Sequence, residues 1–211
     1  MDLHFTSATA TDEERSAIDA TLDGEAGALQ PPTTSERFRK RHLLLPVLHA
    51  VQSRVGWISP GAINYMGERL TVPPAEAYGV ATFYALFSTE PQPPTVLHVC
   101  DDIACQTRGA DALCKHLEAE FGKEGVSCAN GAITWKRSPC LGLCEKAPAV
   151  LFQTSGEECQ DYTLAPVNAE QLSSALRGKP SKEFRPIHGL PPQTVTPAMP
   201  LLKRVGSVDP L

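Results

Sequence analysis

The sequence predicts an α+β fold, with a helical bundle leading into a smaller domain of mixed strands and helices. Three observations predict it. Up to about residue 87, apolar residues recur at spacings of three and four, the signature of amphipathic helices. After Gln92-Pro93-Pro94 the texture changes to short β-rich runs alternating with helical patterns. Four of the seven cysteines sit in two close pairs within that second part, each just after a predicted strand.

Residues 1–34 are small, polar and acidic and end in Pro31-Pro32. They read as a mobile leader, with a short helix over 11–22. The bundle is expected over 35–91. Its first helix starts near Ser35, carries Phe38, His42, Leu45, Leu48 and Val51 on its apolar face, and stops at Gly56. Ser59-Pro60 opens a second helix through Ile63, Met66 and Leu70. Pro73-Pro74 opens a third with Ala77, Val80, Ala81, Tyr84 and Phe87. Short links between helices imply antiparallel neighbours. The second domain is expected over 95–178, with strands at 95–99, 131–136, 149–153 and 161–164 and helices at 109–121 and 168–176. That order describes an α+β unit of thioredoxin-like size. The tail over 179–211 holds seven prolines, so it cannot be a helix or central strand over most of its length. It reads as a C-terminal arm.

Composition excludes several classes. At 42% hydrophobic and 20% charged the chain suits a globular protein. A net charge of −5 argues against nucleic acid or an anionic membrane as partner. No apolar run is long enough to insert in a membrane, and the N-terminus lacks the layout of a secretory signal. Paired rather than evenly spread cysteines suit thiolates kept for a metal in a reducing cytoplasm. There is no G-x-G-x-x-G after a strand and no phosphate-binding G-x-x-x-x-G-K-[ST] loop. A substrate site of the chain's own is therefore not expected.

The pairs are Cys100-x4-Cys105 and Cys140-x3-Cys144, with 34 residues between them. Four thiolates on two loops can hold two irons, one loop per iron, as a 2Fe–2S cluster requires. Gly142 permits the tight turn inside the second pair. Structural zinc and thioredoxin-type dithiols both favour C-x2-C, which neither pair matches. Plant-type ferredoxins need a third cysteine soon after Cys105, and a Rieske centre needs two histidines where His98 is one. A cluster-free thiol-redox or zinc module stands as the alternative class. Cys114, Cys128 and Cys159 read as packing residues. Asp101 and Asp102 should lower a cluster's potential, and Lys136, Arg137 and Lys146 should raise it. Pro148, before a strand, is expected to be trans.

These residues resemble a known family. The two cysteine pairs, the run Ala147-Pro148-Ala149-Val150, the segment AYGVATFYALF from Ala77 to Phe87, and Gly56-Trp57-Ile58-Ser59 are similar to the thioredoxin-like 2Fe–2S subunit of NADH-dehydrogenase modules, the 24 kDa-type subunit of respiratory complex I. The resemblance covers about residues 35–178 and implies a helical bundle before a thioredoxin-like 2Fe–2S ferredoxin domain. It implies Cys100, Cys105, Cys140 and Cys144 as iron ligands. It also implies an oxidoreductase subunit that trades single electrons with the FMN of a partner flavoprotein that binds NAD(H) and a 4Fe–4S cluster, alongside further iron–sulfur subunits. The expected location is cytoplasmic, peripheral to the inner membrane where the complex is. Related subunits serve NAD-dependent formate dehydrogenases, as a gamma-type subunit, and NAD-reducing hydrogenases, as a diaphorase subunit. The tail from Leu201 to Pro210 looks like the opening of the flavoprotein partner, which suggests an arm laid on that partner.

Overall fold

A computed structural model describes residues 7–23, 40–128, 130–177 and 185–186. Helix α1 (Asp12–Asp23) opens with a reciprocal cap, in which Glu14 N donates to Thr11 Oγ1 (3.2 Å) and Thr11 N to Glu14 Oε2 (2.8 Å). Its Ile18 and Leu22 are fully buried. Tyr65 donates to Asp19 at 2.9 Å, and Arg69 pairs with the same carboxylate. The stretch 12–23 is thus a packed helix of the bundle rather than part of a mobile leader. Its apolar signal is easily overlooked, because Ile18 and Leu22 carry the buried stripe with the aliphatic stem of Glu14.

A 3-10 turn (Arg41–Leu43) leads into α2 (Leu44–Val55); the predicted start at Ser35 lies outside the described residues. Pro46 has no N–H and fits only the first turn, which sets the helix start just before it. The buried face is Leu43, Leu44, Val47, Leu48 and Val51. His42 and Leu45 point outward, so the face is rotated from the predicted one; Phe38 lies outside the described residues. Gly56 ends the helix at φ 89°, a left-handed cap. Ser59 Oγ accepts from Ala62 N at 3.0 Å and caps α3 (Pro60–Leu70), which buries Ile63, Met66 and Leu70 as expected. A methyl at Gly61 would lie 2.3 Å from Thr9 O, so the segment before α1 needs a glycine there. Helix α4 (Pro74–Phe83) buries Ala77 and Ala81 and stops before Tyr84, leaving Phe83 and Tyr84 exposed. Phe87 packs partly against the core.

The second unit is one mixed sheet. Strand β1 (Thr95–Cys100) is followed by a single-turn helix α5 (Ile103–Gln106) and by α6 (Ala110–Phe121). Then come β2 (Ile133–Ser138), β3 (Val150–Thr154), β4 (Gln160–Leu164) and α7 (Ala169–Leu176), whose Asn168 and Gln171 form a capping box. Arg185–Pro186 adds a short strand β5 at the edge, where proline is tolerated. The order is β2-β1-β3-β4-β5. Strands β1 and β2 are parallel, and the other neighbours antiparallel. Alternate β1 residues Leu97 and Val99 meet Leu113 and Leu117 of α6 and Leu172 and Leu176 of α7 in a two-layer core around Trp135. Its indole donates to Gly122 O at 3.0 Å.

The bundle is tied to this sheet by Gly156 N to Ser53 O (3.0 Å) and Arg54 to Glu157 (3.2 Å). Ala147-Pro148 is cis, against the expected trans bond; the small intrinsic preference at X–Pro leaves the choice to tertiary context. The Pro148 carbonyl accepts from Val167 N at 3.0 Å. Among the described residues, no helix is long and apolar enough to cross a membrane.

Candidate metal centre

Parallel pairing of β1 and β2 makes both strands end on the same sheet edge, with Cys100 opposite Ser138. The first pair begins there. Cys100 is the last residue of β1, and its N–H donates to Ala149 O at 3.0 Å. Cys105 sits on α5, whose N-cap is Asp102: Oδ1 accepts from Ile103 N at 2.7 Å. Both sulfurs belong to a small apolar cluster with Ala110, Ala147 and Ala149, and both cysteines are at most 2% exposed.

The second pair follows β2. Gly142 turns the chain at φ 77°, and Cys144 opens a 3-10 turn. Cys140 Sγ and Cys144 Sγ are 3.2 Å apart, and Gly142 N donates to Cys140 Sγ at 3.4 Å. Both cysteines are exposed.

Two of the thiols, Cys105 and Cys144, are harder to ionise than a free cysteine. Burial pushes Cys105 up to about 11, with the Cys100 thiol next in weight and Cys144 also near enough to contribute. Cys144 is raised chiefly by its bond to Cys140 and by that neighbour's charge, and it feels Cys100 too. The two pairs therefore share one electrostatic site. Soft sulfur donors gathered in two close pairs suit iron–sulfur ligation. Among the described residues, no three His, Cys, Asp or Glu side chains are placed around a single ion. A 2Fe–2S cluster asks for two thiolates on each iron, and the four sulfurs are arranged as two such pairs.

The charges around the site are largely committed. Asp101 Oδ2 accepts from Arg137 at 2.6 Å, and Arg137 also faces Glu124 at 3.9 Å. Asp102 uses both oxygens on backbone N–H groups, Ile103 N and Cys140 N (3.2 Å). Lys146 is exposed, while burial lowers the Lys136 pKa. From sequence the two aspartates look like free tuning charges, and their bonds are invisible. An Asp two residues after a strand and just before a short helical turn is an N-cap pattern that could have flagged Asp102.

His98 is buried in β1 with its pKa lowered to about 4, mainly by burial. Cys114 is buried in the α6 core, and burial raises it to about 11. Cys128 is partly buried and donates to Ile133 O at 3.3 Å. Cys159 is exposed and does not pack, contrary to expectation, because it lies in the turn before β4.

A mixed sheet with two helices on one face and two cysteine pairs where β1 and β2 end is a thioredoxin-like architecture. The family model for the thioredoxin-like [2Fe-2S] ferredoxin matches residues 32–176, and the chain belongs to that family. It is 34% identical over 109 residues to the E subunit of NADH-quinone oxidoreductase from Pseudomonas aeruginosa, covering 51% of this chain and 66% of that one. A second such E subunit, from Rhizobium meliloti, is 35% identical over 112 residues, or 53% of this chain and 67% of the relative. The chain thus spans about two thirds of the length of these relatives. Among solved structures, an air-oxidized NAD+-reducing [NiFe]-hydrogenase is similar with a TM-score of 0.52 and 27% identity, over 68% of this chain and 24% of that one.

Proposed function

We propose that Cys100, Cys105, Cys140 and Cys144 ligate one 2Fe–2S cluster and that the chain is the electron-transfer subunit of an NAD(H)-dependent oxidoreductase. The observation that carries this reading is the parallel β1–β2 pair, which delivers both cysteine loops to one edge. When bound, the cluster supplies a one-electron couple. The chain's own residues hold it at the surface: Cys100 and Cys105 from an apolar pocket, Cys140 and Cys144 from the outer loop. The cluster exchanges those electrons, one at a time, with the FMN of an NAD(H)-binding flavoprotein. The bundle and the arm over 179–211, most of which lies outside the described residues, serve assembly with that flavoprotein and with further iron–sulfur subunits.

Anaerobic purification tests the ligand set. The wild-type chain should be brown, with about two irons per chain and a 2Fe–2S EPR signal after reduction. Cys140→Ser should lose or badly destabilise the cluster. A native visible and EPR spectrum in that variant would count against the assignment.

The parent complex is a separate question. Both the E-subunit relatives and the hydrogenase neighbour bear names that point to NAD(H) chemistry, and we favour the NADH–quinone oxidoreductase type. Affinity purification of the tagged chain from its own cells should recover an NADH-oxidising flavoprotein. Recovery of a formate dehydrogenase or hydrogenase large subunit instead would reassign the complex.

A further inference from the structure

Two loops from separate strands must stay in register if they are to share one cofactor. The β1–β2 ladder holds them as far as Asp101 N to Ser138 O, at 2.9 Å. The next residue on the second strand is Pro139, which has no N–H to give. The first donor past it is Cys140 N, and it is taken by a side chain, Asp102 Oδ2 at 3.2 Å. The other oxygen of the same carboxylate caps α5 through Ile103 N at 2.7 Å, two residues before Cys105. We propose that Asp102 is a positioning residue that clamps the two cysteine loops together, extending the strand ladder by one side-chain rung across the proline. It acts through the backbone of Cys140 and through the helix that carries Cys105. The inference rests on the ligand reading above.

The two roles of the carboxylate can be separated. Asp102→Ser keeps a good N-cap for α5, but its hydroxyl is too short to reach Cys140 as well. Asp102→Asn keeps one acceptor oxygen and sets an amide donor against the second N–H. Asp102→Ala removes both contacts. Iron release from the anaerobically purified full chain to a strong ferrous chelator should be about tenfold faster in Asp102→Ser and Asp102→Ala, with Asp102→Asn between them and wild type. Thermal unfolding of the metal-free chain should be near wild type for Asp102→Ser, which sets loss of the clamp apart from loss of fold. In metal-free full-length protein, hydrogen–deuterium exchange at the Cys140 amide should also speed up in Asp102→Ser. Iron release within twofold of wild type, together with unchanged Cys140 exchange, overturns the clamp. A wild-type chain that takes up no 2Fe–2S cluster overturns the ligand reading, and the amide exchange then still decides whether Asp102 ties the loops.

Discussion

The two cysteine pairs are built to opposite designs. Cys100 and Cys105 sit in an apolar pocket, one at a strand end and one on a capped turn of helix. Cys140 and Cys144 lie exposed on a loop bent at Gly142, with their sulfurs 3.2 Å apart. The first pair is part of the domain's packing, and the second is a surface feature hung on it. Under the proposed ligand set the contrast separates two jobs: the inner pair would anchor the cluster to the fold, and the outer pair would present it at the surface. It also means that equivalent changes in the two pairs should have unequal effects.

Thiol reactivity is where the inequality should be largest. Thiolate is the reacting form. With Cys105 pushed up to about 11 from an ordinary 9.0, only about one part in a thousand is ionised at pH 8, roughly a hundredfold less than an unshifted thiol. Burial then limits access as well. In the metal-free chain, iodoacetamide at pH 8 should label Cys144 at least about tenfold faster than Cys105, read by peptide mass spectrometry. The sign follows from ionisation: raising the pH towards 11 should speed Cys105 labelling about tenfold per unit and narrow the gap. Equal labelling of the two at pH 8 would break the distinction, since it would mean the inner loop opens as readily as the outer one.

Stability should show the same asymmetry more modestly. Cys105→Ser places a hydroxyl among Ala110, Ala147 and Ala149, which costs about 1–3 kcal/mol unless it finds a partner. Cys144→Ser changes an exposed position and should stay within about 0.5 kcal/mol. Urea unfolding of the two metal-free variants against wild type measures both, and both should lose the cluster. If Cys144→Ser proves the more destabilising, the outer loop is as integral to the fold as the inner one.

How much of this could be read from the sequence follows from the range of the forces involved. Local signals carried well: Ser59-Pro60 opens α3, Gly56 closes α2, Asn168 caps α7, and the strands β1 to β4 fall within two residues of their predicted bounds. The cysteine spacings exposed the two pairs for the same reason. Features set at long range were lost. Helix α1 is held by residues far along the chain, Tyr65 and Arg69 on Asp19, so its own sequence looked like a leader. The face of α2 is set by what it packs against, and Leu44 and Val47 turn inward in place of Leu45. Burial of one cysteine pair and exposure of the other depends on how β3 and its preceding loop pack over the sheet end, and spacing carries none of that. Nor could spacing show that Asp101 and Asp102 are bonded, since Arg137 and Cys140 N approach from β2 and the loop after it.

Those bonds sharpen the comparison in its smallest expected effect, on redox potential. Read as bare charges, Asp101 and Asp102 should both make reduction of a nearby cluster harder. Asp101 is instead paired at 2.6 Å with Arg137, and the two side chains are only 20% and 34% exposed. The pair is neutral as a unit, and the Arg137 pKa is raised mainly by this contact. Asp101→Asn removes one negative charge but can keep the Arg137 hydrogen bond through the amide oxygen, and Glu124 remains beside the guanidinium. The potential should therefore rise by less than about 60 mV, the one-electron equivalent of a tenfold change, and the shift should shrink further at high salt. An EPR-monitored redox titration of both proteins gives the number. A rise well above about 120 mV, two such tenfold steps, would mean that Arg137 does not neutralise Asp101, and that the inner loop tunes the electron it holds as well as anchoring it.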